Sequence, residues 1–214
     1  MIPSFRVAVF GITRSGKDYS ISSAVRTLRD SGMAVEHFEG IPTVRGYSGP
    51  MLGKEFALTS SEEKGLLMDE FRRRISDRSS LPYLIQDEHY SFPTEYGGRP
   101  LKNEYTKAKF PFIIRKGDDG REYEVMLREE WISDCDIVFY LNPDPGVILG
   151  RIRSSEGPKR NEQITEDDID AWKRFEISSL KDLCSKLNVR FEVLNMNEGA
   201  ADILVREIEG ECIS

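Results

Sequence analysis

The chain has 214 residues, 24.5 kDa, 39% apolar and 31% charged residues and a mean hydropathy of −0.45, which at about 150 residues per domain reads as one soluble globular domain carrying an insertion or a lid. No apolar run approaches the ~18 residues of a membrane span, and the opening MIPSFRVAVFG has neither the apolar region nor the cleavage site of a signal peptide, so a cytoplasmic protein is expected. The net charge of −7, from 37 acidic and 30 basic residues, speaks against nucleic acid as the main partner, because neutralising phosphates needs a basic face.

Residues 6–10 (RVAVF) have the β-branched and aromatic content of a buried strand. A helix is expected over 16–30, closed by Ser31-Gly32, and a second strand over 34–38. Ser60 and Glu63 have capping-box spacing ahead of a helix over 63–76, and 83–86 (YLIQ) is a third strand. Strands at 136–141 and 189–194 complete a set of five, with helices over 147–154, 167–187 and 199–209. Thr165 and Asp168 form a second capping box, flanked by Ile164 and Ile169 as a hydrophobic staple. Strands separated by helices predict an α/β fold, a parallel five-stranded sheet with helices on both faces. Residues 88–128 break the alternation and are expected to form a substrate-side insertion, with a β-hairpin around Gly117-Asp118-Asp119-Gly120. Cys135, Cys184 and Cys212 lack CxxC spacing, and His37 and His89 are the only histidines, so neither a disulfide framework nor a multi-histidine metal centre is indicated.

Directly after the first strand stands Gly11-Ile12-Thr13-Arg14-Ser15-Gly16-Lys17-Asp18, followed by Tyr19 and a helix. This is the GxxxxGK phosphate-loop pattern: glycines let backbone N–H groups surround phosphate oxygens, the helix N-terminus adds positive potential, and the lysine reaches the β- and γ-phosphates. Asp18 replaces the usual Ser or Thr. It either holds Mg²⁺, directly or through water, or serves the helix dipole.

Asp87 and Glu88 follow the third strand, on the side where the phosphate loop emerges. A carboxylate there can accept the proton of an attacking hydroxyl or orient Mg²⁺-bound water; Asp87 is the favoured one and Glu88 the alternate, against a plain solvated acid pair. Arg74, in line with Leu67 and Phe71, is a candidate for an anionic acceptor, as are His89, Tyr90 and Arg99 in the aromatic and basic insertion. Arg151, Arg153, Lys159 and Arg160 bracket a short loop that reads as a lid over 151–164, with Arg151 nearest the chemistry and Arg153 and Arg160 on the nucleotide.

Taken together, the phosphate loop, the EFRRR helix, the Asp87-Glu88 pair, DIVFYLNPDPGVILGRI and the basic lid resemble the P-loop small-molecule kinases of the thymidylate kinase and nucleoside monophosphate kinase group. The chain departs from thymidylate kinases in having Asp87-Glu88-His89-Tyr90 where they place an arginine after the acid. SGKD followed by Tyr19 is similar to the loop of animal-type phosphomevalonate kinases, and the long insertion after DEHYSFP resembles the mevalonate-3-phosphate 5-kinases of acidophilic archaea. The resemblance implies ATP and Mg²⁺ as cofactors and transfer of the γ-phosphoryl group to a small anionic acceptor. Mevalonate 3-phosphate, in isoprenoid biosynthesis, is its best expectation and a nucleotide such as dTMP the alternative. No NKxD guanine motif occurs, which speaks against a GTPase switch. A non-catalytic nucleotide-binding regulator is the alternative of another class. Small molecules rather than membranes are the expected partners, and the sequence leaves a homodimer open.

Overall fold

A computed structural model describes residues 5–39, 82–96, 99–100, 113–125, 129–154, 163–195 and 199–211. Strand β1 (Phe5–Phe10) leads into helix α1 (Lys17–Asp30) and strand β2 (Val35–Glu39). Strand β3 (Tyr83–Asp87) precedes the insertion, which contains β4 (Ser91–Pro93), β5 (Glu95–Tyr96), β6 (Arg99–Pro100), β7 (Ile113–Lys116) and β8 (Glu122–Val125). A short α2 (Glu129–Ser133), β9 (Ile137–Leu141), α3 (Pro145–Ser154), α4 (Glu166–Leu187), β10 (Arg190–Leu194) and α5 (Ala200–Glu211) follow.

The five long strands form one sheet in the order β10-β9-β1-β3-β2, and each neighbouring pair is parallel. A parallel sheet is covered on both faces, so its central strands are continuously apolar. All six residues of β1 are buried, and its apolar residues alternate between two cores. Ala8 and Phe10 join Val138, Tyr140, Ile148 and Trp172 on the face of α3 and α4. Val7 and Val9 join Ile21, Leu28, Phe139 and Leu204 on the face of α1 and α5. The expected α/β architecture is therefore the observed one.

The turn at Gly117–Gly120 joins β7 to β8 as expected, but β4 pairs with β8 and extends the hairpin to a three-stranded antiparallel sheet. Tyr123 of β8 stacks on Phe175 of α4 at 4.1 Å, and Arg121 donates to the Asp167 carbonyl at 3.0 Å, so the insertion is anchored on α4. Each strand of the central sheet and each expected helix among the described residues shifts from its expected limits at one or both ends by one or two residues. Gly16 caps α1 rather than opening it, Asp87 belongs to β3, and α3 starts at Pro145. The expected helix over 63–76 and most of the lid loop lie outside the described residues.

Helix α4 starts with the predicted capping box: Asp168 N–H donates to Thr165 Oγ1 at 3.1 Å, and Thr165 N–H to Asp168 Oδ2 at 3.0 Å. Thr165→Ala removes the acceptor for Asp168 N–H and is expected to cost about 1 kcal/mol, read as a lower denaturation midpoint at an unchanged m-value. Among the described residues no helix is long and apolar enough to cross a membrane.

Candidate active site

The sheet's register brings the two motifs together. Val9 of β1 pairs with Asp87 of β3, and Glu88 N–H donates to the Val9 carbonyl at 3.0 Å. Asp87 and Glu88 thus stand beside the strand end from which the phosphate loop departs, at the carboxyl edge where open parallel sheets bind ligands.

The loop's bends are made by backbone conformations that glycine permits. Gly16 adopts φ +99°, and Arg14 takes a left-handed conformation at φ 66°. Among the described residues no side chain caps the N-terminus of α1, which leaves the amides of its first turn to an anion. The Ser15 side chain is buried inside the loop, and its hydroxyl has no hydrogen-bond partner among the described residues. A buried hydroxyl without a partner carries a desolvation cost that a phosphate oxygen would relieve.

Lys17 is 4% exposed, its Nζ donating to the Gly11 carbonyl at 2.7 Å and lying 3.9 Å from Asp87 Oδ1. Burial lowers its pKa, while Asp87, Glu176, Asp18 and Glu88 pull the other way. Glu88 is pushed up to about 8 by burial and by the adjacent Asp87, against the pull of Lys17. His89 lies 5.7 Å from the Phe92 ring, and burial, with the Lys17 charge, keeps its imidazole neutral at pH 7.

Thr13, Arg14, Asp18 and Tyr19 are exposed around the loop, Tyr19 at 81%. Arg151, on α3, donates from Nη1 to the Arg14 and Ser15 carbonyls at 3.1 and 2.9 Å. It braces the loop from its carbonyl side, a contact between residues 136 positions apart. Arg153 is exposed two residues further along the same helix. Tyr90 is 1% exposed, in the core near Phe175. Arg99 lies on β6, opposite Tyr96. Arg74 and Arg160 lie outside the described residues.

Gly16 tests the brace. A Cβ there would stand 3.0 Å from Arg151 Nη1, on a backbone that side chains rarely adopt. Gly16→Ala is expected to cost about 1–3 kcal/mol and to weaken nucleotide binding, read by thermal melting with and without MgATP.

No protein-family model and no curated protein matches the sequence. Among solved structures, shikimate kinase from Bacteroides thetaiotaomicron superposes with a TM-score of 0.50 at 13% identity, over 98% of this chain and 99% of that one. Shikimate kinase from Acinetobacter baumannii in complex with shikimate aligns over 100% of this chain and 94% of that one, at 13% identity and a TM-score of 0.46. The chain has the shikimate kinase fold. That fold accounts for the central sheet.

Sequence reasoning missed Glu176. Its carboxylate accepts from Ser91, Tyr140 and Trp172 in the core, and burial pushes its pKa up to about 7. It falls in line with Ile169, Trp172 and Leu180, which are buried on α4. An acid in an apolar helical stripe was the available signal.

Proposed function

We propose that the chain is an ATP-dependent phosphotransferase of the P-loop small-molecule kinase type, acting on a small anionic acceptor. The observation that carries this is Lys17: one buried ammonium within 2.7 Å of the loop's Gly11 carbonyl and 3.9 Å of Asp87. It joins a phosphate cradle to an acid, the pair of functions that phosphoryl transfer needs.

In this reading the amides of residues 12–17, with Lys17 and the Ser15 hydroxyl, hold the phosphates, and Thr13, Arg14 and Tyr19 border the nucleotide. The acceptor hydroxyl attacks the γ-phosphorus as Asp87 takes its proton, and ADP leaves. Arg151 keeps the loop shaped for that transfer, while Arg153 and Arg160 supply positive charge from the lid. Glu88 and His89 stand on the acceptor side, Arg74 and Arg99 are the candidates for its anionic groups, and Tyr90 supports that segment from the core.

The residues present fit Mg²⁺. Asp87, Glu88 and Asp18 are hard oxygen donors, and Mg²⁺ on a nucleotide needs only one or two protein carboxylates besides phosphate and water. Among the described residues no cluster of three or more ligating side chains occurs, so the ion would depend on the nucleotide for its place, with Asp87 and Asp18 as the protein's contribution. When bound it would neutralise charge on the β- and γ-phosphates.

For the acceptor, the resemblance of the loop and insertion favours mevalonate 3-phosphate, phosphorylated on its 5-hydroxyl. The deciding experiment is ATP consumption with Mg²⁺ over mevalonate and its phosphates, shikimate, dTMP and other nucleoside monophosphates. Turnover with a mevalonate phosphate alone supports the isoprenoid assignment. Turnover with a nucleotide alone replaces it with a thymidylate kinase-like activity, and silence throughout replaces the kinase with a nucleotide-binding regulator. Asp87→Asn is expected to lower kcat by about 10²–10⁴-fold with little change in KM; a change confined to KM would remove its role in proton transfer.

A further inference from the structure

Glu176 is the only fully buried carboxylate among the described residues, at 1% exposure, and the transfer reaction above gives it no part. Its Oε1 accepts from Ser91 N–H and from Ser91 Oγ–H, both at 2.9 Å, and from Trp172 Nε1–H at 3.2 Å. Its Oε2 accepts from the Tyr140 hydroxyl at 3.0 Å. Tyr140 in turn packs in the same buried cluster as Ile12 and lies opposite Phe10 in the sheet register. Trp172 Nε1 also donates to Ser91 Oγ at 3.1 Å.

The network therefore runs from Tyr140, packed with Ile12, to Ser91. Ile12 is the second residue of the phosphate loop, and Ser91 follows Asp87-Glu88-His89-Tyr90 directly. In its ionised form the carboxylate is acceptor-only and can take all four donors at once, which no neutral side chain does, and the bonds from Ser91 and Tyr140 oppose the burial that raises its pKa. A carboxylate is expensive to bury, and an apolar residue would fill the space at lower cost. What the carboxylate adds is direction: a fully satisfied buried network rigidifies the segments it joins. Phosphoryl transfer depends on such rigidity, because a misplacement of about 1 Å can cost on the order of 10² in rate.

We propose that Glu176 is a positioning residue that holds the phosphate loop and the acid-bearing segment 87–91 in one register, gripping Ser91 directly and the cluster that contains Ile12 through Tyr140. The proposal rests on reading the loop as a nucleotide site.

The test uses the full chain carrying Trp131→Phe, which leaves Trp172 as the only indole. MgATP affinity by calorimetry and Trp172 emission are measured for this chain and with Tyr140→Phe or Glu176→Gln added. Tyr140→Phe removes the hydroxyl and keeps the ring; Glu176→Gln keeps the shape but turns an amide N–H₂ towards one set of donors. MgATP is expected to shift Trp172 emission in the parent chain and not in either variant. Its affinity should fall about tenfold with Glu176→Gln and about threefold with Tyr140→Phe. A parent chain that binds no MgATP overturns the nucleotide reading and this inference with it. A parent that binds MgATP, with a Tyr140→Phe chain that binds it equally well and gives the same emission shift, overturns the inference alone. Should Glu176→Gln fail to fold, the Tyr140→Phe comparison still decides.

Discussion

Lys17→Ala is expected to lower phosphoryl transfer by roughly 10²–10³-fold in a chain that remains folded. The ammonium is buried and already desolvated, so it needs no reorganisation to meet a phosphate, and this preorganisation makes an electrostatic contact strong in catalysis. Its removal also leaves the Asp87-Glu88 pair without the cation that opposes their mutual repulsion. Folding should tolerate the loss, because burial penalises the charge that is deleted while the lost attraction to the carboxylates acts in the opposite sense. Lys17→Arg should not restore activity, since a planar guanidinium does not fit a space shaped for a compact ammonium held at 2.7 Å from the Gly11 carbonyl. ATP turnover and circular-dichroism melting of the same preparations check both halves. Full turnover in Lys17→Ala would remove the phosphate-loop assignment, and an unfolded chain would show that the lysine's first task is structural.

The parts of this molecule that were legible in the sequence are those written in local pattern. The apolar run of β1 followed by GxxxxGK defines strand, loop and helix within 30 residues, and the Thr165–Asp168 capping box marks the start of α4 in four. Other elements were too short to carry a period. α2 has five residues and β5 and β6 two each, below the length at which alternation or helical spacing stands out. β4 is a strand because β8 pairs with it, a fact of tertiary structure. The site divides in the same way. Lys17 and Asp87 were readable from their positions near strand ends, whereas the Arg151 brace and most of the Glu176 network join residues 36 to 137 positions apart. Tyr90 shows the opposite failure. Its place among polar and aromatic residues reads as a binding surface, yet the short connection between β3 and β4 places it in the core near Phe175.

Glu88 offers the sharpest pH signature. With its pKa pushed up to about 8, most of it is protonated at neutral pH, and a neutral carboxylic acid can donate a hydrogen bond to an anionic acceptor while a carboxylate would repel it. Transfer is therefore expected to hold below pH 8 and to fall about tenfold per pH unit above it as this proton is lost. Glu88→Gln keeps a donor and cannot ionise, so it should retain activity and lose the alkaline limb. If Glu88 served instead as the base, the rate would rise through pH 8 and the glutamine variant would be inactive, which would transfer Asp87's role to its neighbour. Stability gives an independent reading with a definite sign. A carboxyl whose pKa rises from 4.5 to about 8 on folding favours the native state below pH 4.5, and this contribution is lost as pH climbs through 8. Relative to Glu88→Gln, the parent should thus lose ground progressively between these limits and no further above them, by on the order of 1–2 kcal/mol once the partial exposure of Glu88 is allowed for. Urea denaturation of both chains at pH 5, 7 and 9 measures the difference, and parallel curves at all three values would mean that the Glu88 carboxyl is solvated and ionised like any surface acid.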